Sequence, residues 1–303
     1  MKMNVPTHLY FPSMQLQERE YNYNYFKKSN IAEKALSFDF TFIHNGRTSE
    51  EPKRPVVKIN RNNLLINYEK PDETLVGDLV YSASQALFPL KLVINSYGYS
   101  KGIYNHSEIL ERWKSFIPRF QTYYEKGKST QLLNEIGRLY KSSEKLIKSL
   151  QNDCFFSWFF FPVYGDYEIG RVSTINNYEF SFISGQKIKY SLDLELQKDY
   201  TENGKIRISV EGKSELIEND TISGYFLLNK DRSIHEVKIN FYLSTYQEEI
   251  KIHIQETKEL IERKTDINVV FDEREEREKL QKSRGFFVEE IEDNNLPKHN
   301  IRR

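Results

Sequence analysis

The sequence predicts an α+β protein: a C-terminal antiparallel β-meander packed on a central antiparallel helical hairpin, preceded by N-terminal strands and a short helix. Three observations lead there. Apolar and polar residues alternate between turn signals from about residue 167 to 256. From 105 to 150 apolar residues recur at three- and four-residue spacing. Between these regions lies NDCFFSWFFFPVYGDY, Asn152 to Tyr167, with five phenylalanines and a tryptophan.

The first 104 residues read as strands with one helix. Tyr21, Tyr23 and Tyr25 alternate in EREYNYNYF, suggesting an edge strand or packed arm. Phe38, Phe40 and Phe42 alternate in the next strand. Val57 and Ile59 begin another, which Leu64, Ile66 and Tyr68 continue after an Asn62-Asn63 turn. Leu75, Leu79, Ala83 and Leu87 space a short helix from Thr74 to Phe88, which Pro89 ends. PLKLVIN is a further strand and SYGYSKG its turn.

Residues 105–166 form the helical centre. Asn105 with Glu108 reads as a capping-box variant. Ile109, Trp113, Phe116, Phe120 and Tyr123 then make an apolar stripe that stays in phase past Pro118, which predicts a kink rather than a stop. Lys126-Gly127-Lys128-Ser129 supplies the reversal, and Leu132, Ile136, Leu139, Leu146 and Leu150 stripe a second helix. Gly137 inside it suggests either a close approach of the partner or ordinary sequence drift.

The aromatic run is too short to span a membrane, which takes about 20 apolar residues, and acids close it at both ends. Asp153 resembles a helix N-cap and Pro162 a stop, so a two-turn buried helix is expected, wedged between the paired helices and the apolar side of the downstream sheet. Residues 167–256 supply that sheet. Tyr190, Leu192, Leu194 and Leu196 alternate with polar residues, Asn203-Gly204 signals a hairpin, and Asn219-Asp220 and Lys230-Asp231-Arg232 mark later turns. Residues 257–303 turn charged and read as a solvated helix or tail beside one intimate globular unit.

Lys and Arg total 44 against 44 for Asp and Glu, so no net field attracts nucleic acid. The six histidines and single cysteine show no metal-ligand spacing, no phosphate loop or nucleophile elbow occurs, and no cofactor is expected. Apolar surroundings and Asp153 both disfavour a reactive Cys154 thiolate. Asp193 and Glu195 on one strand face, and His253, read as solvent-facing polarity. The absent apolar leader and lone cysteine fit the cytoplasm.

Function therefore reads first as a non-enzymatic protein-interaction component: an adaptor, scaffold or chaperone-like subunit whose partner is another protein. Its candidate contact is the apolar knot Phe286, Phe287, Val288 and Ile291 within the charged tail. The second reading is a carrier for an apolar small molecule, held near Phe155, Trp158, Phe159 and Trp113. A hydrolase or transferase with dispersed catalytic residues is the third, and would need a polar cleft with convergent ionisable groups.

Overall fold

A computed structural model of the chain describes residues 4–12, 18–49, 52–71, 81–123, 128–181 and 187–257. A small ribbon pairs β1 (His8–Leu9) with β7 (Gly165–Asp166). The other strands form one antiparallel sheet. Its N-terminal half is β2 (Glu18–Lys28), β3 (Glu33–Arg47), β4 (Pro55–Ile66), β5 (Leu90–Ile94) and β6 (Ser100–Ile103). Its C-terminal half is β8 (Val172–Ser181), β9 (Lys187–Leu196), β10 (Ile206–Ser214), β11 (Thr221–Leu228), β12 (Ile234–Leu243) and β13 (Glu248–Glu256). The order β6-β5-β4-β3-β2-β13-β12-β11-β10-β9-β8 makes this two meanders joined along one seam, where β13 lies antiparallel to β2 with Ile252 opposite Tyr25.

That seam corrects two expectations. The N-terminal strands extend the downstream sheet, and β2 is central, flanked by β13 and β3. Tyr21, Tyr23 and Tyr25 therefore line the sheet's interior face and are almost fully buried. Alternation shows that one strand face is apolar but does not name the neighbouring strand. The seam also carries a buried charge cluster: the Arg19 guanidinium bonds Glu256 and Asp231, and Glu256 accepts from Asn229 Nδ2 at 3.0 Å and sits 3.1 Å from His235 Nδ1. These groups come from β2, β13, β12 and the β11–β12 turn, so their mutual satisfaction ties the two meanders together.

A further correction concerns β4, which runs unbroken through Asn62 and Asn63. Asn63 takes φ 51° beside a register irregularity against β3, so the pair that reads as a turn is a distortion within one strand. The later turn signals do mark reversals, with Gly204 at φ 70°, Asn219 at φ 70° and Arg232 at φ 71°. Between β5 and β6, Gly98 has φ 84°, and a Cβ there would lie 2.6 Å from the Tyr164 ring, so both conformation and space require glycine.

The helices are α1 (His106–Tyr123), α2 (Lys128–Tyr140), α3 (Ser143–Gln151) and α4 (Cys154–Phe159), with residues 81–85 also helical. Of the expected Thr74–Phe88 helix, the part up to residue 80 lies outside the described residues, and the helix stops at residue 85, with Ala86 and Leu87 in a turn, rather than reaching Phe88. α1 continues through Pro118. The second helical stripe is split because Ser142, extended at φ −119°, accepts from Lys145 N and begins α3. At Gly137 a Cβ would sit 3.4 Å from Trp113 Nε1, which identifies the indole as the close neighbour. Asn105 does not cap as expected: its Oδ1 accepts from Lys91 N at 2.8 Å and its Nδ2 donates to Pro89 O at 2.9 Å and Glu108 at 3.1 Å, locking α1 to β5.

Candidate functional site

α4 forms as its sequence suggests. Asp153 accepts from Phe155 N at 2.9 Å and Phe156 N at 3.2 Å, which satisfies two otherwise orphaned amides. Phe155 and Phe159, one turn apart, share a face that meets the N-terminal meander. Phe155 packs on Tyr23, Phe38 and Phe40 with ring centroids 4.7–5.2 Å away. Phe159 packs on Tyr21, Phe40 and Phe42 at 5.1–5.3 Å. Trp158, turned about 100° from Phe159, meets the C-terminal meander: Phe180 at 4.9 Å, Phe241 at 5.9 Å and Phe226 at 6.2 Å. The run thus straddles the seam, whereas its periodicity suggested only the downstream sheet.

Coverage differs sharply between the two ends of this aromatic layer. Around Trp158 it is more nearly closed: Trp158, Phe226 and Tyr190 are 0% exposed and Phe161 1%, with Tyr178 half-buried at the margin. Beyond Phe155 it is partly open, for Leu36, Leu64, Phe88 and Cys154 pack on the core yet remain only half-buried.

Arg61 occupies that open end. It follows Val57 and Ile59 at two-residue steps on β4 and pairs with Phe40, so it projects on the apolar side. Its guanidinium lies 4.8 Å over the Phe88 ring and 5.9 Å from the Phe38 ring, within cation–π range. Nη2 hydrogen-bonds the Ser84 hydroxyl, which in turn donates to Tyr81 O at 2.6 Å. Nε is buried and has no acceptor, and among the described residues no carboxylate forms an ion pair with Arg61. Burial holds this guanidinium below its ordinary pKa, opposed by Tyr81, Tyr140 and Asp153. It stays cationic, since arginine titrates far above neutrality.

The same interior face holds further unmet polar atoms: Tyr25 OH, Trp158 Nε1 and Tyr190 OH are buried without partners. Each such group costs about 1–3 kcal/mol of desolvation. Burial raises the Tyr25 and Tyr190 hydroxyls above the ordinary phenol range, so both are neutral hydrogen-bonding groups at physiological pH. Cys154, beside this face, is pushed up to about 12 by burial and then by Asp153, which makes it a protonated thiol rather than a nucleophile.

The outer face offers a different arrangement. Glu195, Gln197, Arg207 and Ser209 line a depression of about 220 Å³. Beside it Arg207 stacks 4.3 Å over Tyr225, whose hydroxyl donates to Glu236 Oε2 at 3.1 Å, while His253 Nε2 sits 2.7 Å from Glu236 Oε1. His253, expected to face solvent, is therefore half-buried and engaged. Both Glu236 oxygens are occupied by neighbouring strands, so this chain braces β11, β12 and β13.

Of the sequence-derived ligand candidates, Phe155, Trp158 and Phe159 come together on α4. Trp113 belongs to the same continuous core but packs elsewhere in it, on Tyr140 at 5.2 Å and Phe120 at 6.0 Å. Phe286, Phe287, Val288 and Ile291 lie outside the described residues. Sequence reasoning misses Arg61 because the Asn62-Asn63 pair reads as a turn that ends the strand there. The available signal was a charged residue in register with Val57 and Ile59.

Among the described residues, no cluster of His, Cys, Asp or Glu could hold a metal ion, and no helix is long and apolar enough to cross a membrane. No protein-family model and no curated protein matches the sequence. A solved structure, "Lipid-protein interactions in lipovitellin", resembles the chain with a TM-score of 0.39 and 12% identity over 80% of this chain. The chain spans 25% of that structure's length, and the likeness is too loose to bear on function.

Proposed function

We propose that the protein carries an apolar small molecule beside α4, against the interior face of the sheet, at the partly open end of the aromatic layer. The observation behind this reading is the incomplete cover there. Leu36, Leu64, Phe88 and Cys154 are left half-buried against the core, beside a buried Tyr25 hydroxyl that has no partner. Ligand sites combine apolar walls with a few unmet polar groups, and a ligand would complete both. The protein-interaction reading rests instead on Phe286, Phe287, Val288 and Ile291, which lie outside the described residues, so we place it second. The enzyme reading requires convergent ionisable groups, and those on the outer face are spent on one another.

Native mass spectrometry of the gently purified chain, with titration of the neutral dye Nile red, tests the carrier. A co-purified small molecule or saturable dye binding is expected. Leu64→Trp, which fills the open end, should weaken dye binding about tenfold, the equivalent of about 1.4 kcal/mol. A bare chain that leaves the dye unbound ends this reading.

A further inference from the structure

We infer that Arg61 receives an oxyanion, and hence that the carried molecule is an anionic amphiphile: an alkyl chain ending in a carboxylate or phosphate. This rests on the carrier reading and adds the chemistry of the ligand's polar end. Arg61 is a cation on the apolar side of the sheet, held by two aromatic rings and one serine hydroxyl. Aromatic faces and a neutral hydroxyl orient a guanidinium but do not neutralise it. Elsewhere the chain completes its buried cations: Arg19 has both Glu256 and Asp231, and Lys27 has Glu248 at 2.6 Å. Arg61 alone among these three has an unmet, buried Nε–H and no ion-paired carboxylate among the described residues.

The surroundings favour an oxyanion carrying a chain. The Phe88 ring lies 4.8 Å from the guanidinium, half-buried Leu36 and Leu64 lie on the nearby strands β3 and β4, and Tyr25 OH, from the β2 residue paired with Leu36, is a second unmet hydrogen-bonding group on this half of the interior face. A carboxylate or phosphate oxygen on Nε–H makes a charge-assisted bond, stronger than a neutral one. Asp153 lies close enough to influence Arg61 electrostatically without pairing with it. Its Oδ1 accepts from two α4 amides, and Arg61 Nε–H is left without an acceptor.

Isothermal titration with dodecanoate, dodecyl phosphate and dodecanol, each below its micellar concentration, tests this with the full chain. The expected result is that one or both anions bind about tenfold or more tightly than dodecanol, with the better anion distinguishing carboxylate from phosphate. Arg61→Met should abolish that preference, and Arg61→Lys should retain part of it. Circular dichroism verifies the fold, and Arg61→Gln substitutes if Arg61→Met does not fold. Equal binding of all three ligands, or an anion preference that survives Arg61→Met, overturns the assignment of Arg61 and leaves the carrier reading standing. Failure of all three to bind removes both.

Discussion

The two ends of the aromatic layer are built from the same residue types and differ in what they complete. At the Trp158 end, rings from α4, β8, β11 and β12 enclose one another, with Trp158 at 0% exposure. At the Arg61 end, aromatic and aliphatic side chains stop short of full cover and surround a cation that forms no ion pair among the described residues, although Asp153 acts on it electrostatically. Aromatic pairs contribute about 0.5–1.5 kcal/mol each beyond their burial, so the closed end stabilises the fold. An incompletely covered end with an unmet charge forgoes stability, which is where capacity for binding is expected.

Trp158→Ala should have the largest effect, a loss of about 3–5 kcal/mol in urea denaturation, because it opens a cavity where neighbours are already immobile. Leu64→Ala, at the open end, should cost about 1 kcal/mol, since its side chain gives up less buried area. Comparable losses at both sites would erase the distinction between the ends.

A pH dependence sharpens the comparison near the seam. His44 packs on Phe42 at 5.4 Å and Phe11 at 5.5 Å, and burial, then the Arg19 charge, holds its pKa below 6.5. The unfolded chain therefore takes up a proton at His44 before the folded one does, and stability should fall as pH drops through about 6.5 toward the lower folded value. His44→Gln should remove that component of the decline. An unchanged pH profile in that variant would show that His44 is not its source.

The smallest effect concerns Cys154, which carries no expected stability change. With its thiol pushed up to about 12, iodoacetamide at pH 8 should alkylate it about a thousandfold more slowly than an ordinary cysteine. Dodecanoate should slow the reaction further by covering the open end. Labelling at the ordinary rate would indicate a more exposed thiol than the geometry gives.

Local patterning determined a good deal. Strict alternation identified β9 to β13, the apolar stripe identified α1, and Asp153 with Pro162 bounded α4, because strand and helix periods and capping act over a few residues. Strand order was not determined that way. Nothing near Tyr21, Tyr23 and Tyr25 states that β13, more than two hundred residues later, will lie beside them; pairing and the Arg19–Glu256 bond arise only when the chain closes on itself. Arg61 shows the same boundary. Its register with Val57 and Ile59 was readable, but the absence of an ion-paired carboxylate among the described residues depends on every group brought near it, and electrostatic completion is a property of the folded neighbourhood rather than of sequence neighbours.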